Sequence, residues 1–233
     1  MNVHKALADA RALFKEKEYA KALERYEYFF DHALEEAKSL YGVRLSYCLD
    51  EWAELGSKYA PALARLRIKA EEAHELLLRT RNPERFHDYI AICGYLKRGA
   101  APVELFLTLH PSDPELAKSM VRFIWDELVD AKQWNVCAAY LGDPGSNYAL
   151  ALKKFDRSMA ISDENPSFGG TEFNEQIDGW YVRDVTNIVR VLANSGEAAS
   201  ARAILEGMES DMTARDRLDL VARIREQVLD GRA

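Results

Sequence analysis

The residues of this chain best suited to chemistry are two histidines and one cysteine, His74, His87 and Cys93. Imidazole and thiol groups transfer protons or bind metal ions when a fold brings them together. His87 and Cys93 are six residues apart, a spacing that does not stack two side chains on one face of a helix. The pattern therefore favours core residues and predicts no metal site.

Acidic residues occur as adjacent pairs, such as Asp50-Glu51 and Glu71-Glu72. Neighbouring residues point to different sides of a helix, so these pairs do not form the facing carboxylates of acid–base catalysis. The sequence also has no glycine-rich phosphate loop, no His-x-x-x-His pair and no Gly-x-Ser-x-Gly nucleophile motif. We therefore predict that the protein is not an enzyme and needs no cofactor.

Composition and charge exclude several classes of partner. The 233 residues carry a net charge of −7 and include no Lys/Arg-rich run, so we expect no attraction to nucleic acid or anionic lipid. No stretch approaches the roughly 20 apolar residues that span a bilayer, and the first residues show no apolar signal core. The three cysteines are far apart and lie within apolar helical patterns, which predicts reduced thiols. We expect a cytoplasmic protein without nucleic-acid or membrane partners.

The elements that must position these residues are helices, and they repeat along the chain. Residues 17–26 return with similar residue types at 57–66, with Ala22 and Ala62 at equivalent positions. Small residues at these positions allow two helices to approach closely. Looser copies occur at 98–105, 132–138 and 195–202. Copies of a helix pair at such spacings are typical of an α-solenoid.

Hydrophobic periodicity and turn residues divide the chain into five helix pairs. The predicted helices are 3–17 with 20–40, 43–55 with one starting near Pro61, 83–98 with 102–109, one from Ser112 with one near Trp134, and 172–193 with one from Ala198. All seven prolines fall at the proposed junctions, as expected because a proline inside a helix costs about 3 kcal/mol. Residues 142–171, with one predicted helix at 147–161, are either a degenerate repeat or an insertion. The predicted fold is one all-α domain over residues 1–233, an α-solenoid of about five antiparallel helix hairpins with a capping helix at 213–229.

The first repeat resembles the tetratricopeptide repeat, and the last copy matches it again. Characteristic positions of that family are held by Ala10, Leu13, Phe14, Tyr19, Ala22 and Tyr26, and later by Val189, Leu192, Gly196, Ala198, Ala201 and Leu205. The copies between them depart from the pattern at Asp50, Ile92, Glu104 and Trp125. The resemblance covers about two thirds of the chain and implies a right-handed superhelix whose concave groove binds other proteins. The variant of the family that clamps a C-terminal carboxylate has Lys and Asn where this chain has Leu7 and Arg11, so no chaperone-tail ligand is implied.

The register of the family, transferred to the first helix of each pair, predicts which residues line the groove. These are Arg11, Lys15, Arg44, Tyr47, Tyr89, Lys97, Arg122, Arg183 and Arg190, set against Glu51, Glu54, Asp126 and Asp130. Seven cationic and four anionic side chains leave a local excess of three positive charges. Such a groove is expected to bind an acidic peptide or a phosphorylated segment.

A second candidate surface for contact with a partner is the aromatic cluster of Tyr26, Tyr28, Phe29 and Phe30. These side chains suit either a groove for a partner helix or the seam between repeats, and we favour the seam. The function expected from the sequence is a protein-binding scaffold. The alternative is an all-α enzyme or a small-ligand receptor that uses the concave surface.

Overall fold

The computed structural model describes residues 2–165 and 170–230, and within these ranges the regular structure is helical, with no strand. The all-α prediction is therefore confirmed. Contacts group the chain into two compact units, Met1–Ile124 and Trp125–Ala233, which are described separately below. The single domain and the solenoid arrangement stay predictions. Among the described residues, none of the helices combines the length and the apolar character needed to cross a membrane.

The first unit contains eight α-helices within its described residues. They are α1 (Val3–Lys15), α2 (Tyr19–Glu36), α3 (Tyr41–Leu45), α4 (Tyr47–Lys58), α5 (Ala60–Thr80), α6 (Pro83–Tyr95), α7 (Ala100–Ser112) and α8 (Pro114–Met120), with short 3-10 turns at Lys38–Leu40 and Val121–Phe123. Helices adjacent in sequence pack together, α1 on α2, α4 on α5, α5 on α6 and α7 on α8. Asn82 caps α6, because its side chain accepts a hydrogen bond from the Glu84 amide. Asp113 caps α8 in the same way, by accepting a hydrogen bond from the Leu116 amide.

The core of the first unit contains a buried tryptophan and several closely packed small residues. Trp52 is fully buried, packs edge-to-face on Phe30 with 6.1 Å between ring centroids, and donates its indole N–H to the Ala62 carbonyl at 3.0 Å. Ala22 and Ala62 are both fully buried, as their equivalent positions in the repeat predict. A Cβ added at Gly56 would lie 3.1 Å from the Leu63 Cβ, so α4 and α5 also approach closely there.

The second unit contains six α-helices within its described residues. They are α9 (Trp125–Asp130), α10 (Trp134–Leu141), α11 (Pro144–Glu164), α12 (Thr171–Asn194), α13 (Ala198–Ala214) and α14 (Leu218–Asp230). The long helix α12 is the centre of this unit, because α9, α10, α11, α13 and α14 all pack on it. Its buried stripe is correspondingly wide and includes Tyr181, Val185 and Val189.

Five connections between helices have the same geometry, with one residue in the left-handed conformation. These residues are Lys17, Lys97, Lys132, Gly196 and Asp216, with φ between 55° and 94°. In each turn, the amide of the residue that follows the left-handed one donates to the carbonyl of the residue five positions before the donor, as the Glu18 amide does to the Leu13 carbonyl at 2.9 Å. This bond satisfies a carbonyl left open at the end of a helix. Four of the five turns coincide with turns that the repeat predicted.

Several predicted boundaries are wrong, and each error has a local cause. Helix α2 ends at Glu36, before the predicted end at residue 40, because Ala37 is extended. The predicted helix 43–55 is divided at Ser46, whose hydroxyl donates to the Gly42 carbonyl and competes with the helix ladder. Pro111 lies inside α7, contrary to the junction rule, and is tolerated because the helix ends one residue later. Pro166 lies outside the described residues.

The predicted capping helix begins too early. Helix α13 continues to Ala214, and the left-handed Asp216 precedes α14. Aspartate tolerates this conformation, but without glycine or proline the turn left no clear mark in the sequence. Leu220 lies on the buried side of α14, and Leu218 is exposed.

We predict that Ala62→Leu and Ala22→Leu each lower the free energy of unfolding by about 1–3 kcal/mol, because the added methylenes overpack a closed contact. The matched controls are Ala64→Leu and Ala20→Leu, since both alanines are exposed on the same helices. Urea denaturation followed by circular dichroism measures the difference. Equal stability of a buried variant and its control would show that these contacts are not closely packed.

Candidate functional site

His87 lies in a hydrogen-bonded cluster of the first unit. The Tyr41 hydroxyl donates to Glu84 Oε2 at 2.5 Å and lies 2.7 Å from His87 Nδ1. Because the phenol proton goes to Glu84, His87 Nδ1 carries a proton and donates it to the Tyr41 oxygen. The imidazole stacks on Phe123 at 4.5 Å between centroids. Burial lowers the pKa of His87 below its ordinary value, against the opposing attraction of Glu84, and so favours the neutral ring. Through its contacts with Tyr41 and Phe123, the ring joins α6 to α3 and to the turn at Val121–Phe123.

His74 and Cys93 lie in a different cluster, which places them apart from His87. The His74 ring lies 5.4 Å from the ring of Tyr89, and Tyr89 precedes Cys93 by four residues on α6. Cys93 is fully buried, and burial raises the pKa of its thiol, which disfavours the nucleophilic thiolate. Its predicted role as a core residue is confirmed. Among the described residues, no group of three or more His, Cys, Asp or Glu side chains is placed to hold a metal ion.

Two of the nine predicted groove residues are not available to a ligand. Arg44 and Tyr89 are only 3% and 4% exposed, so neither side chain lines an open surface. Reversing the charge of Arg44 would therefore disturb the core and would not test a groove. The sequence pattern misplaced these residues because a helical register gives the face of a residue but not which neighbouring helices cover that face.

The other five predicted residues of the first unit are exposed, but two of them already have partners. Arg11 pairs with Glu51 at 2.6 Å, and Arg122 pairs with Glu84 at 3.1 Å. The remaining three, Lys15, Tyr47 and Lys97, are exposed.

Carboxylates that the sequence count left out also reduce the predicted positive charge. Glu84 pairs with Arg122 and Asp88 pairs with Arg44. Including these two carboxylates lowers the predicted excess from three positive charges to one.

Arg44 forms a buried ion pair that connects three helices. Its guanidinium donates to both oxygens of Asp88 at 2.5 and 2.9 Å, and its Nε donates to the Phe30 carbonyl at 2.7 Å. The same group lies 3.9 Å from the centroid of the Phe30 ring. Arg44 is on α3, Asp88 on α6 and Phe30 on α2, so the interaction has a structural role in the first unit.

A second charge cluster of the first unit surrounds the buried Lys69. Its ammonium lies 2.8 Å from Asp31, 3.1 Å from Glu72 and 3.5 Å from Glu27, while Arg65 pairs with Glu27 and Glu72. Burial alone would raise the pKa of Glu72, but the hydrogen bond and charge of Lys69 outweigh it and lower the pKa. This cluster therefore connects α2 to α5 through ion pairs.

The second unit contains an open groove between α11 and α12, which we call the α11/α12 groove. From α11 it is lined by Asn147, Leu150, Ala151, Lys154, Phe155 and Ser158, and from α12 by Ile177, Trp180, Tyr181, Arg183, Asp184 and Ile188. Both sets follow the three- and four-residue spacing of one helix face. Trp125 and Tyr140 line one end. The groove consists of two adjoining cavities of about 350 and 210 Å³.

The walls of the groove carry large apolar side chains that remain open to solvent. Trp180 is 45% exposed and Leu150 is 49% exposed, although Phe155, Ile177 and Tyr181 beside them are buried. Exposed aromatic and aliphatic groups beside a buried apolar floor are typical of a binding surface.

Two ion pairs lie along the same groove. Lys154 Nζ is 3.7 Å from Asp184, where the two cavities meet, and Arg183 Nε is 3.1 Å from Asp126. Asp126 also accepts a hydrogen bond from Asn187 at 2.9 Å. Burial raises the pKa of Asp184 despite the opposing charges of Lys154 and Arg183. The groove can therefore offer apolar contact and a small number of charges.

Only Arg183 of the predicted site lies in this groove, and the sequence reasoning missed the rest of it. Arg190, the other predicted residue of the second unit, lies with its guanidinium 5.5 Å from the Trp134 ring centroid. A usable signal was present, because apolar residues recur at helical spacing on both predicted helices, as at Leu150, Ala151 and Phe155. The pattern gave no indication that, among the described residues, no further helix covers the groove sides of α11 and α12.

Comparison with protein-family models, with curated proteins and with solved structures found no match for this chain. Function is therefore proposed from the geometry described above.

We predict that Arg44→Met lowers the free energy of unfolding by about 3–5 kcal/mol, because it removes the bidentate partner of the buried Asp88 carboxylate and leaves only the single contact of Arg85. The matched control is Arg85→Met, since Arg85 contacts the same carboxylate at 3.0 Å from a partly exposed position. The control is expected to cost less than about 1 kcal/mol. A double variant, Arg44→Met with Asp88→Leu, should be more stable than Arg44→Met alone. Chemical denaturation checks all three values, and similar losses for Arg44→Met and the control would contradict the assigned role.

The lowered pKa of Glu72 predicts a pH-dependent contribution to stability. A carboxyl group whose pKa is lowered on folding stabilises the fold above its unfolded pKa of about 4.3, and loses that effect as the pH falls through the folded value. Glu72→Gln should therefore destabilise the protein at pH 7, by less than about 1 kcal/mol because the group is partly exposed, and have little effect near pH 2. Denaturation midpoints at both pH values test this expectation. Glu75→Gln, at an exposed position of α5, is the control and should change little at either pH.

Proposed function

We propose that this chain is a helical-repeat protein that binds a segment of another protein, and that the α11/α12 groove is the binding surface. In this proposal the helices form antiparallel hairpins of a tetratricopeptide-like, right-handed solenoid. Support comes from the packing of sequence-adjacent helices and from the shared left-handed turns. We place the protein in the cytoplasm, because Cys48, Cys93 and Cys137 are free, buried thiols.

The observation that carries the proposal is the exposure of Trp180 and Leu150 on the two walls of one groove. Water around such side chains is released when a partner covers them, which favours association. Tryptophan is also enriched among the few residues that supply most of the binding free energy of protein interfaces. The groove thus offers an aromatic and an aliphatic anchor on rigid helices.

The rival function, a small-ligand receptor, has one supporting observation. The larger cavity, about 350 Å³, lies at the lower end of the range found for ligand pockets. The charged groups of its lining are already paired, Lys154 with Asp184 and Arg183 with Asp126. Protein binding makes fuller use of the exposed apolar walls.

We predict that Trp180→Ala combined with Leu150→Ala abolishes the recovery of a stoichiometric protein partner when the full chain is purified from its native cell. Loss of two anchors should weaken binding by about 30-fold or more. The control combines Leu218→Ala and Leu229→Ala, which remove equally exposed side chains from α14 and should retain the partner. Circular dichroism should show unchanged melting for both variants. Recovery of the partner by the groove variant, or a copurified metabolite in its place, would contradict the proposal.

A further inference from the structure

We infer that the occupant of the α11/α12 groove is a short amphipathic helix of another protein, with two apolar anchors one turn apart and acidic residues along its border. This inference rests on the proposed function, and it names the chemistry of the partner. Three features of the groove support this partner: the spacing of the two cavities, the hydrogen bonding of the walls and the positions of the charges.

The two cavities have the spacing of anchors on a helix. Along α11, the larger cavity is lined from Ala151 to Ser158 and the smaller one from Asn147 to Lys154. This offset of four residues corresponds to about 6 Å along a helix axis. Side chains at positions i and i+4 of a partner helix are separated by about the same distance. One anchor would enter beside Trp180 and the other beside Leu150.

The walls favour a helix over an extended peptide. An extended segment needs hydrogen-bond partners for its backbone, which it finds on a sheet edge or on side-chain amides. Both walls are helices whose backbone groups are paired internally, and the Asn147 amide already donates to the Leu141 carbonyl. A helix satisfies its own backbone and can be buried against such walls at lower cost.

The charges favour an acidic border on that helix. The cations of the groove are the more exposed members of their pairs, with Lys154 at 63% against 32% for Asp184, and Arg183 at 53% against 39% for Asp126. An approaching helix therefore meets the ammonium and guanidinium groups first. Carboxylates of the partner can pair with both cations without displacing a buried group.

The test selects binders to the full chain from a displayed library of 16-residue helical peptides. The library fixes apolar residues at positions i and i+4 and randomises the border positions, and a parallel library presents extended, proline-containing peptides. We expect enrichment of helical peptides with Asp and Glu at the border. A synthetic representative should shift the tryptophan emission, and Trp180→Phe should reduce that change, leaving only the contribution of Trp125 at one end of the groove.

Charge reversal then tests the acidic border. Lys154→Glu should weaken the selected acidic peptide about three- to tenfold, and a version of the peptide with lysines at the border should bind this variant more tightly than the acidic one. The control is Lys153→Glu, which makes the same change in net charge at an exposed position outside the groove lining and should alter affinity less than twofold.

The outcomes separate the inference from the proposed function. Enrichment of basic or extended peptides whose binding needs Trp180 and Leu150 would overturn the acidic helix and leave the protein-binding groove intact. Equal effects of Lys154→Glu and Lys153→Glu would overturn the acidic border. If neither library yields a binder that depends on Trp180 and Leu150, the result would count against the groove itself, and so against both the inference and the proposed function.

Discussion

The first unit depends on one buried charge being fully satisfied. Arg44 uses its guanidinium to bind both oxygens of Asp88 and the carbonyl of Phe30, while its flat face covers the Phe30 ring. A charge in this position is tolerated only with such complete pairing, because an isolated buried ion would be very unfavourable. The pair also fixes the short helix α3, which is too brief to be stable by itself, between α2 and α6. Positions of the neighbouring side chains, including Tyr41 and His87, follow from this constraint.

Local features of the sequence predicted most of the helices. The segments 3–17 and 172–193 were close to α1 and α12 because their apolar periodicity is long and their ends carry recognisable turn residues. The boundaries failed where one residue decides the backbone, as at Ser46 and Asp216. Both residue types occur in helices as well as in turns, so only the surrounding contacts determine which structure forms.

The candidate site was predictable only in part, because it depends on which side chains remain exposed after the helices have packed together. Helical spacing correctly assigned Arg183 to a solvent-facing position, but the same reasoning placed the buried Arg44 there. The exposure of Trp180 has no local cause in the sequence, since tryptophans at similar spacing are usually buried. It results from the absence of a covering helix among the described residues around this part of α12. A pattern of residue types along one helix carries no information about that absence.

The left-handed turns have a consequence for how quickly the chain can fold. Each of the five connects two consecutive helices through three or four residues, so the entropy lost in closing the loop is small. Contacts between neighbouring helices can therefore form early and at several places along the chain, without waiting for distant segments to meet. Rate-limiting steps would then involve the contacts between more distant parts of the sequence, such as that between Arg44 and Asp88. Folding would then begin with contacts between neighbouring helices and end with contacts between helices that are distant in the sequence.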